Sequence, residues 1–405
     1  MVTARAKNQL LDAVARCLAV ACLIAVIFIA FRRFNGADTP FLAFSVIGAA
    51  VVHFANRPRV IEATITAVLA SGLGIAYVGS RGAFGQYPAS GLVGTLAFLG
   101  LASMIILGWK ACRSTEALRP LLLATLCPML VVLTNVASAA AIKFQPRVFD
   151  LFLYRFDGSL GIQASFLAGR WFAGSPFLAN LCFLISAALP LAEVLVFLLF
   201  VRGQRMPANP MALFIVTGIA GLAFFQLCPA TGPAHAFGAE FPSYPPPFQP
   251  LEAVRADDVP RSAMPSLRGA WALLIWWSLR YSKNWMRWLA TGFLVLTVLA
   301  TLGLGENYLI DLVVAVPFAV TAMAACTGQH RKLIAAGALV LAWLLYLRFG
   351  LPVFTLSPLG AWMAVLATVI ISLLVAGAKN PSMLRGRIPS GGGLLTRLMP
   401  PAPPN

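Results

Sequence analysis

FLANLCFLISAALPLAEVLVFLLFV, residues 177–201, is an apolar run with one charge, Glu193. A helix needs roughly 20 mainly apolar residues to cross the hydrocarbon core of a bilayer. A surface helix of a soluble protein keeps a polar face, and this run has none. It therefore reads as a membrane span. Similar runs lie on both sides of it. Upstream they cover residues 13–31, 40–55, 60–79, 89–109 and 120–142. Downstream they cover 211–228, 265–279, 288–304, 307–326, 333–347 and 352–376. About twelve spans are expected by the length rule. All should be helices, because an unpaired backbone group in lipid is too costly. The expected fold class is all-α, a polytopic membrane helical bundle. Composition agrees: 60% of the 405 residues are hydrophobic and 11% are charged, against about 25% charged in soluble proteins. A soluble enzyme on a tether, a disordered chain and a coiled coil are excluded.

The net charge is +17, from 30 Lys and Arg against 13 Asp and Glu. In a soluble chain such an excess would point to nucleic acid. Here membrane orientation accounts for it. With the N-terminus in the cytoplasm, alternating spans place basic residues in every inner loop, including Arg57, Arg59, Lys110, Arg113, Arg202 and Arg205. The outer segments hold fewer basic residues and most of the acids, among them Asp150, Asp157 and Glu306. This satisfies the positive-inside rule with both termini cytoplasmic. An integral protein of a bacterial inner (plasma) membrane is the expected location, with no nucleic-acid partner. The first run is too long for a cleavable signal and reads as a retained anchor. The seven cysteines are scattered and suggest neither a disulfide framework nor a metal site.

The expected organisation is a five-span region over 1–142, a second membrane domain over 143–326, two further spans over 327–378, and a Gly- and Pro-rich tail over 379–405 that should be disordered. Two outer segments are more than turns. Residues 143–176 mix aromatics and charges at helical spacing, which suggests a helix lying in the membrane interface. Residues 229–264 form a long loop with SYPPPFQP in its middle, and loops of that length are usually functional or disordered.

Three short stretches share the outer face in this topology: CPATGPAHAF (228–237), SAMPSLRGAWALL (262–274) and GENYLIDLV (305–313). The second and third each open a helix. Helix N-termini present free N–H groups and a positive dipole end, so they suit an anion. Pro265 fits a first helical turn. Ser266 is placed to donate to an oxyanion. Arg268 is a fixed cation about a turn deeper, and Asn307 and Asp311, four apart, share one helical face. Arg255 and Arg261 flank the second stretch and would steer an anionic headgroup. His235 is a loop histidine, and Glu193 and Gln226 are intramembrane polar groups that should pair with neighbouring helices.

The words MPSL-x-GAWALL and GE-x-YLIDLVVA resemble the type 2 phosphatidic acid phosphatase superfamily, in the inositolphosphotransferase-like branch related to inositol phosphorylceramide synthases. The Cys-Pro-x-Thr-Gly-Pro word and the Pro-rich loop fit the same branch. The resemblance covers roughly residues 143–326. It implies phosphate-ester hydrolysis or phosphoryl-headgroup transfer on a lipid, without metal or cofactor. Family members carry P-S-x-H at the first helix and H-x-x-x-D at the second. One histidine attacks phosphorus while the Asp orients it, and the other protonates the leaving alkoxide. This chain has Arg268 at the acid position and Asn307 at the nucleophile position; Pro265, Ser266 and Asp311 are retained. The family's Ser-Arg pair falls on Ala300 and Thr301, and its first motif has no clean match. An Asn amide is not a nucleophile, and a guanidinium stays protonated and is a poor acid.

The leading expectation is a catalytically impaired member that binds a phospholipid or lipid-linked phosphate, or serves structurally. Two alternatives stay open: an active phosphatase or inositolphosphotransferase-type enzyme with altered residues, and a transporter-like or scaffold protein of lipid metabolism.

Overall fold

The computed structural model describes residues 39–81, 88–247, 251–256, 259, 261, 264–349 and 357–377, together with scattered positions between 18 and 29. The first expected span therefore lies largely, and the tail after 378 entirely, outside the described residues. Among the described residues the regular structure is helical, apart from one two-residue strand pair.

The N-terminal helices are α1 (Thr39–Ala55), α2 (Val60–Arg81), α3 (Pro88–Arg113) and α4 (Leu118–Phe144). Helix α1 is the centre of this group, packed against α3 and α4. Its neighbour α3 comes so close that a Cβ on Gly100 would lie 2.1 Å from the Val46 carbonyl oxygen. Without an aqueous driving force, membrane helices gain most where small residues let backbones meet. Polar side chains here bond their own helix, as Thr125 Oγ1 does to Leu121 O at 2.9 Å and Ser103 Oγ to Leu99 O at 2.8 Å. That removes the cost of an open hydroxyl in lipid.

After α4 come strand β1 (Arg147–Val148) and short helices α5 (Asp150–Ser159) and α6 (Ala164–Gly174). The single interfacial helix expected over 143–176 is thus two helices. Moreover α5 is not laid on the surface: Asp150, Leu153, Tyr154, Phe156 and Asp157 are all buried. The founding run of the sequence reading forms α7 (Pro176–Ala187) and α8 (Leu189–Val201), bent by 49° at their junction. Pro190, just past the junction, lacks an N–H and crowds the carbonyl one turn back, which accounts for the bend.

The rest comprises α9 (Pro210–Phe225), the short α10 (Pro233–Phe237), strand β2 (Val254–Arg255), α11 (Leu267–Ser278), α12 (Asn284–Gly303), α13 (Leu309–Thr327), α14 (His330–Phe349) and α15 (Pro358–Gly377). Helix α13 is the axis, packed against α9, α11, α14 and α15. The two halves join where α1 lies along α8. Among the described residues seven helices are long and apolar enough to span a membrane, or eight if the bent α7–α8 pair is one span. Helices α1 and α9 are apolar but shorter, and α11, at 12 residues, is only about 18 Å long at the α-helical rise. The count of twelve is therefore not reached among the described residues, although the helices themselves follow the apolar runs.

Gly100→Ala is expected to push α3 off α1 and lower the thermal unfolding midpoint in detergent, by on the order of 1–3 kcal/mol of overpacking. Gly72→Ala in α2, where a Cβ meets nothing within 4 Å, should leave the midpoint unchanged or slightly raised.

Candidate functional site

Helix α13 starts at a point where three buried carboxylates converge. Asp157 of α5 accepts hydrogen bonds from Leu309 N at 2.7 Å and Ile310 N at 3.1 Å. Asp311 Oδ2 accepts from Tyr308 N at 2.7 Å. Asp150, at the start of α5, accepts from Thr231 N, Gly232 N at 2.8 Å and the Tyr308 hydroxyl at 3.1 Å. The N–H groups that the sequence suggested as an anion site thus already face the protein's own carboxyl groups. A helix N-terminus favours negative charge whatever its source.

The loop carrying the first motif word is held against the third. Ala234 N donates to Gly305 O at 3.0 Å. Gly232 has φ of 90°, and a Cβ there would lie 2.4 Å from Glu306 O. Only glycine meets both demands at low cost. Thr301 supports the loop from below. Its carbonyl accepts from Glu306 N at 3.0 Å and Asn307 N at 3.1 Å, while its hydroxyl bonds back to Val298 O.

At the centre is a chain of three side chains. Ser266 caps α11 by accepting from Gly269 N at 3.2 Å, and its hydroxyl donates to Asn307 Oδ1 at 3.0 Å. Asn307 Nδ2 donates to Asp311 Oδ2 at 3.4 Å. All three are buried, with Ser266 and Asp311 fully so. Among the described residues, Asp311 Oδ1 has no hydrogen-bond partner. Backbone links lock the two helix starts together: Ser266 N donates to Asp311 O at 3.2 Å, and Ser165 Oγ of α6 donates to Asn307 O at 2.8 Å.

Arg268 lies beside this chain with its guanidinium in an ion pair with Glu306 and 5.4 Å from the ring centre of Phe41 in α1. Both partners are partly exposed, at 22% and 28% of their side-chain surface. Arg261, in contrast, is fully buried. Its guanidinium donates to the carbonyls of Gln145, Pro146, Ala256 and Val259, clasping the chain on both sides of the β1–β2 pair. Arg255 is exposed on β2, opposite Arg147 of β1. So the structure brings Ser266, Asn307, Asp311 and Arg268 together, uses Thr301 as a backbone support, and employs Arg261 as a brace. His235 is exposed on α10.

Asp150 and Asp157 escaped the sequence reading, which counted them among outer acids. One signal existed: they are seven residues apart, two helical turns, and so share a face. Burial pushes the Asp157 carboxyl up to about 7, against the opposing pull of the Leu309 and Ile310 amides. Burial likewise raises Asp150, opposed by Thr231 and Gly232.

Residues 151–325 match the PAP2 superfamily. The match runs from α5 through most of α13, contains Ser266, Arg268, Asn307 and Asp311, and covers less than half of the chain. No curated protein and no solved structure matches the chain. The PAP2-like segment and the apolar helices together fit a membrane protein of lipid-phosphatase type. Helices α1–α4 lie outside the PAP2-like segment.

Removing the Asp157 acceptor leaves two amides of the PAP2-like segment without their partner. Asp157→Ala should therefore destabilise by on the order of 1–3 kcal/mol, read as a lowered unfolding midpoint. The pH dependence has a definite sign. Between the ordinary carboxyl value of 3.8 and about 7, the unfolded chain releases the Asp157 proton while the folded chain keeps it. Its contribution to stability is full below that window and is lost as pH rises through it. Melting curves of Asp157→Asn should show a shallower fall over the window than the parent protein.

Proposed function

We propose that this chain is an integral membrane protein with a lipid-phosphatase-like pocket that no longer performs phosphoryl transfer and binds a phospholipid or lipid-linked phosphate. The observation that carries the reading is the Ser266–Asn307–Asp311 chain. An enzyme of this class needs a nucleophile oriented by the carboxylate. Here an amide fills that place and is held on both sides, by a serine hydroxyl and by the carboxylate. It neither attacks phosphorus nor titrates. At the acid position a guanidinium is neutralised by Glu306, and it has no proton to give at any relevant pH. Loss of a catalytic group from a cooperating set costs several orders of magnitude in rate.

The retained parts favour binding. Arg268 is a fork of donors suited to phosphate, and it is accessible enough for a phosphate to exchange with Glu306. Among the described residues Asp311 Oδ1 has no hydrogen-bond partner, consistent with a disarmed scaffold rather than a rebuilt one. The finer placement in the inositolphosphotransferase-like branch rests on the flanking words around Pro265 and Asn307. The basic loops support a pocket facing outward, with both termini cytoplasmic, in a bacterial inner membrane.

The test is phosphate release from phosphatidic acid and from a lipid pyrophosphate, using full-length protein in lipid. The parent protein should release none above a heat-inactivated control. Arg268→His with Asn307→His should gain measurable release, since Ser266 and Asp311 remain in place to serve it. Robust release by the parent protein would sink the reading. Glu306→Gln should free Arg268 and tighten binding of phosphatidic acid vesicles by roughly tenfold, the scale of one charge-assisted contact. Unchanged binding would count against Arg268 as the phosphate holder.

A further inference from the structure

A second feature lies where the N-terminal helices meet the PAP2-like segment. Helices α1, α3 and α8 enclose a groove of about 570 Å³. Its walls are apolar, with Ile47, Val51 and Phe54 on α1, Leu96 on α3 and Leu199 on α8 among them. One charged residue lines it, Arg202, at the end of α8. The α1 residues recur at intervals of three or four, so they form one stripe along the helix. From Ile47 to Phe54 that stripe runs about 10 Å at the α-helical rise. Phe54 and Leu96 are substantially exposed, so the groove opens sideways from the bundle as well as at its charged end.

This groove is separate from the Ser266–Asp311 pocket. Helix α9 starts shortly after Arg202 and ends just before the loop that brings Thr231 to Asp150. Its 16 residues place the two features about 24 Å apart along the bundle. The inference therefore does not rest on the reading of that pocket.

We infer that the groove is a binding site for an anionic glycerophospholipid, with an acyl chain along α1 and α8 and the phosphate on Arg202. The apolar stripe runs along the helix axis, which suits a flexible hydrocarbon chain, and apart from Arg202 no polar side chain lines the groove to orient a soluble ligand. The charge is complementary. Exposed Arg57 follows the end of α1, and exposed Arg205 follows Arg202. The nearby Glu62 is already paired with Lys110 at 3.0 Å, and no ion pair is made by Arg202 among the described residues. The backbone does not help an anion here. Helices α1 and α8 both end at the mouth, presenting the negative ends of their dipoles. The headgroup is consequently held by the guanidinium, and a zwitterionic lipid gains less than an anionic one.

The experiment is native mass spectrometry of the full chain in detergent, with equal amounts of dioleoylphosphatidylglycerol and dioleoylphosphatidylcholine. The parent protein should retain the anionic lipid with about fivefold preference, the scale of one basic residue facing an anionic lipid. Arg202→Gln, a surface change checked by its unfolding midpoint, should bring the two lipids to parity, and Arg202→Lys should restore most of the preference. Val51→Trp should fill the groove and reduce both adducts. Parity in the parent protein overturns the inference, as does a preference unchanged in Arg202→Gln. So does a dimer in the parent protein that Val51→Trp abolishes while lipid adducts persist, since the groove would then be an interface between copies.

Discussion

The start of helix α13 is satisfied from within. A helix that begins inside a membrane protein must find acceptors for its first amides, and water is scarce there. Asp157 takes two of them and Asp311 takes the amide of Tyr308. Asp150 then fixes the Tyr308 hydroxyl and the Thr231–Gly232 backbone in one grip. Through these contacts α5, the 228–237 loop and α13 become one rigid corner. The approach of Gly232 to Glu306 and the position of Asn307 follow from it.

That corner also positions the polar groups beside it. Ser266, Asn307 and Asp311 form a connected polar chain in which Asn307 both accepts and donates. An amide is one of few side chains that can join a hydroxyl donor to a carboxylate acceptor without adding charge. Arg268 adds a charge, but Glu306 matches it within the same pocket. Arg268 and Asn307 thus leave the electrostatics of the site balanced.

The helices were legible because the lipid environment imposes a simple rule. Apolar runs became helices nearly end to end, as at α4, α12 and α13. Length was harder to read. The run over 177–201 is two helices bent at Ala188, since Pro190 interrupts the ladder where hydropathy sees continuity. The stretch over 143–176 misled more. Its charges suggested an interfacial surface, yet Asp157 points inward to cap a helix more than 150 residues further along the chain, and Asp150 points inward to the Thr231–Gly232 backbone and the Tyr308 hydroxyl. Composition carries no information on which distant amide needs a carboxylate.

By itself, the sequence determined that this is a bundle of membrane helices. It also placed Arg268, Asn307 and Asp311 near the starts of two helices, because residue identity and short-range spacing are local properties. Only the tertiary structure decided what those residues touch. Arg261, which looked like a headgroup ligand, braces four backbone carbonyls. Arg268 faces Glu306, which lies 38 positions away. Hydrogen bonds and ion pairs act over a few ångströms in space. The chain that brings their partners together can be of any length, and no local pattern records which partner arrives.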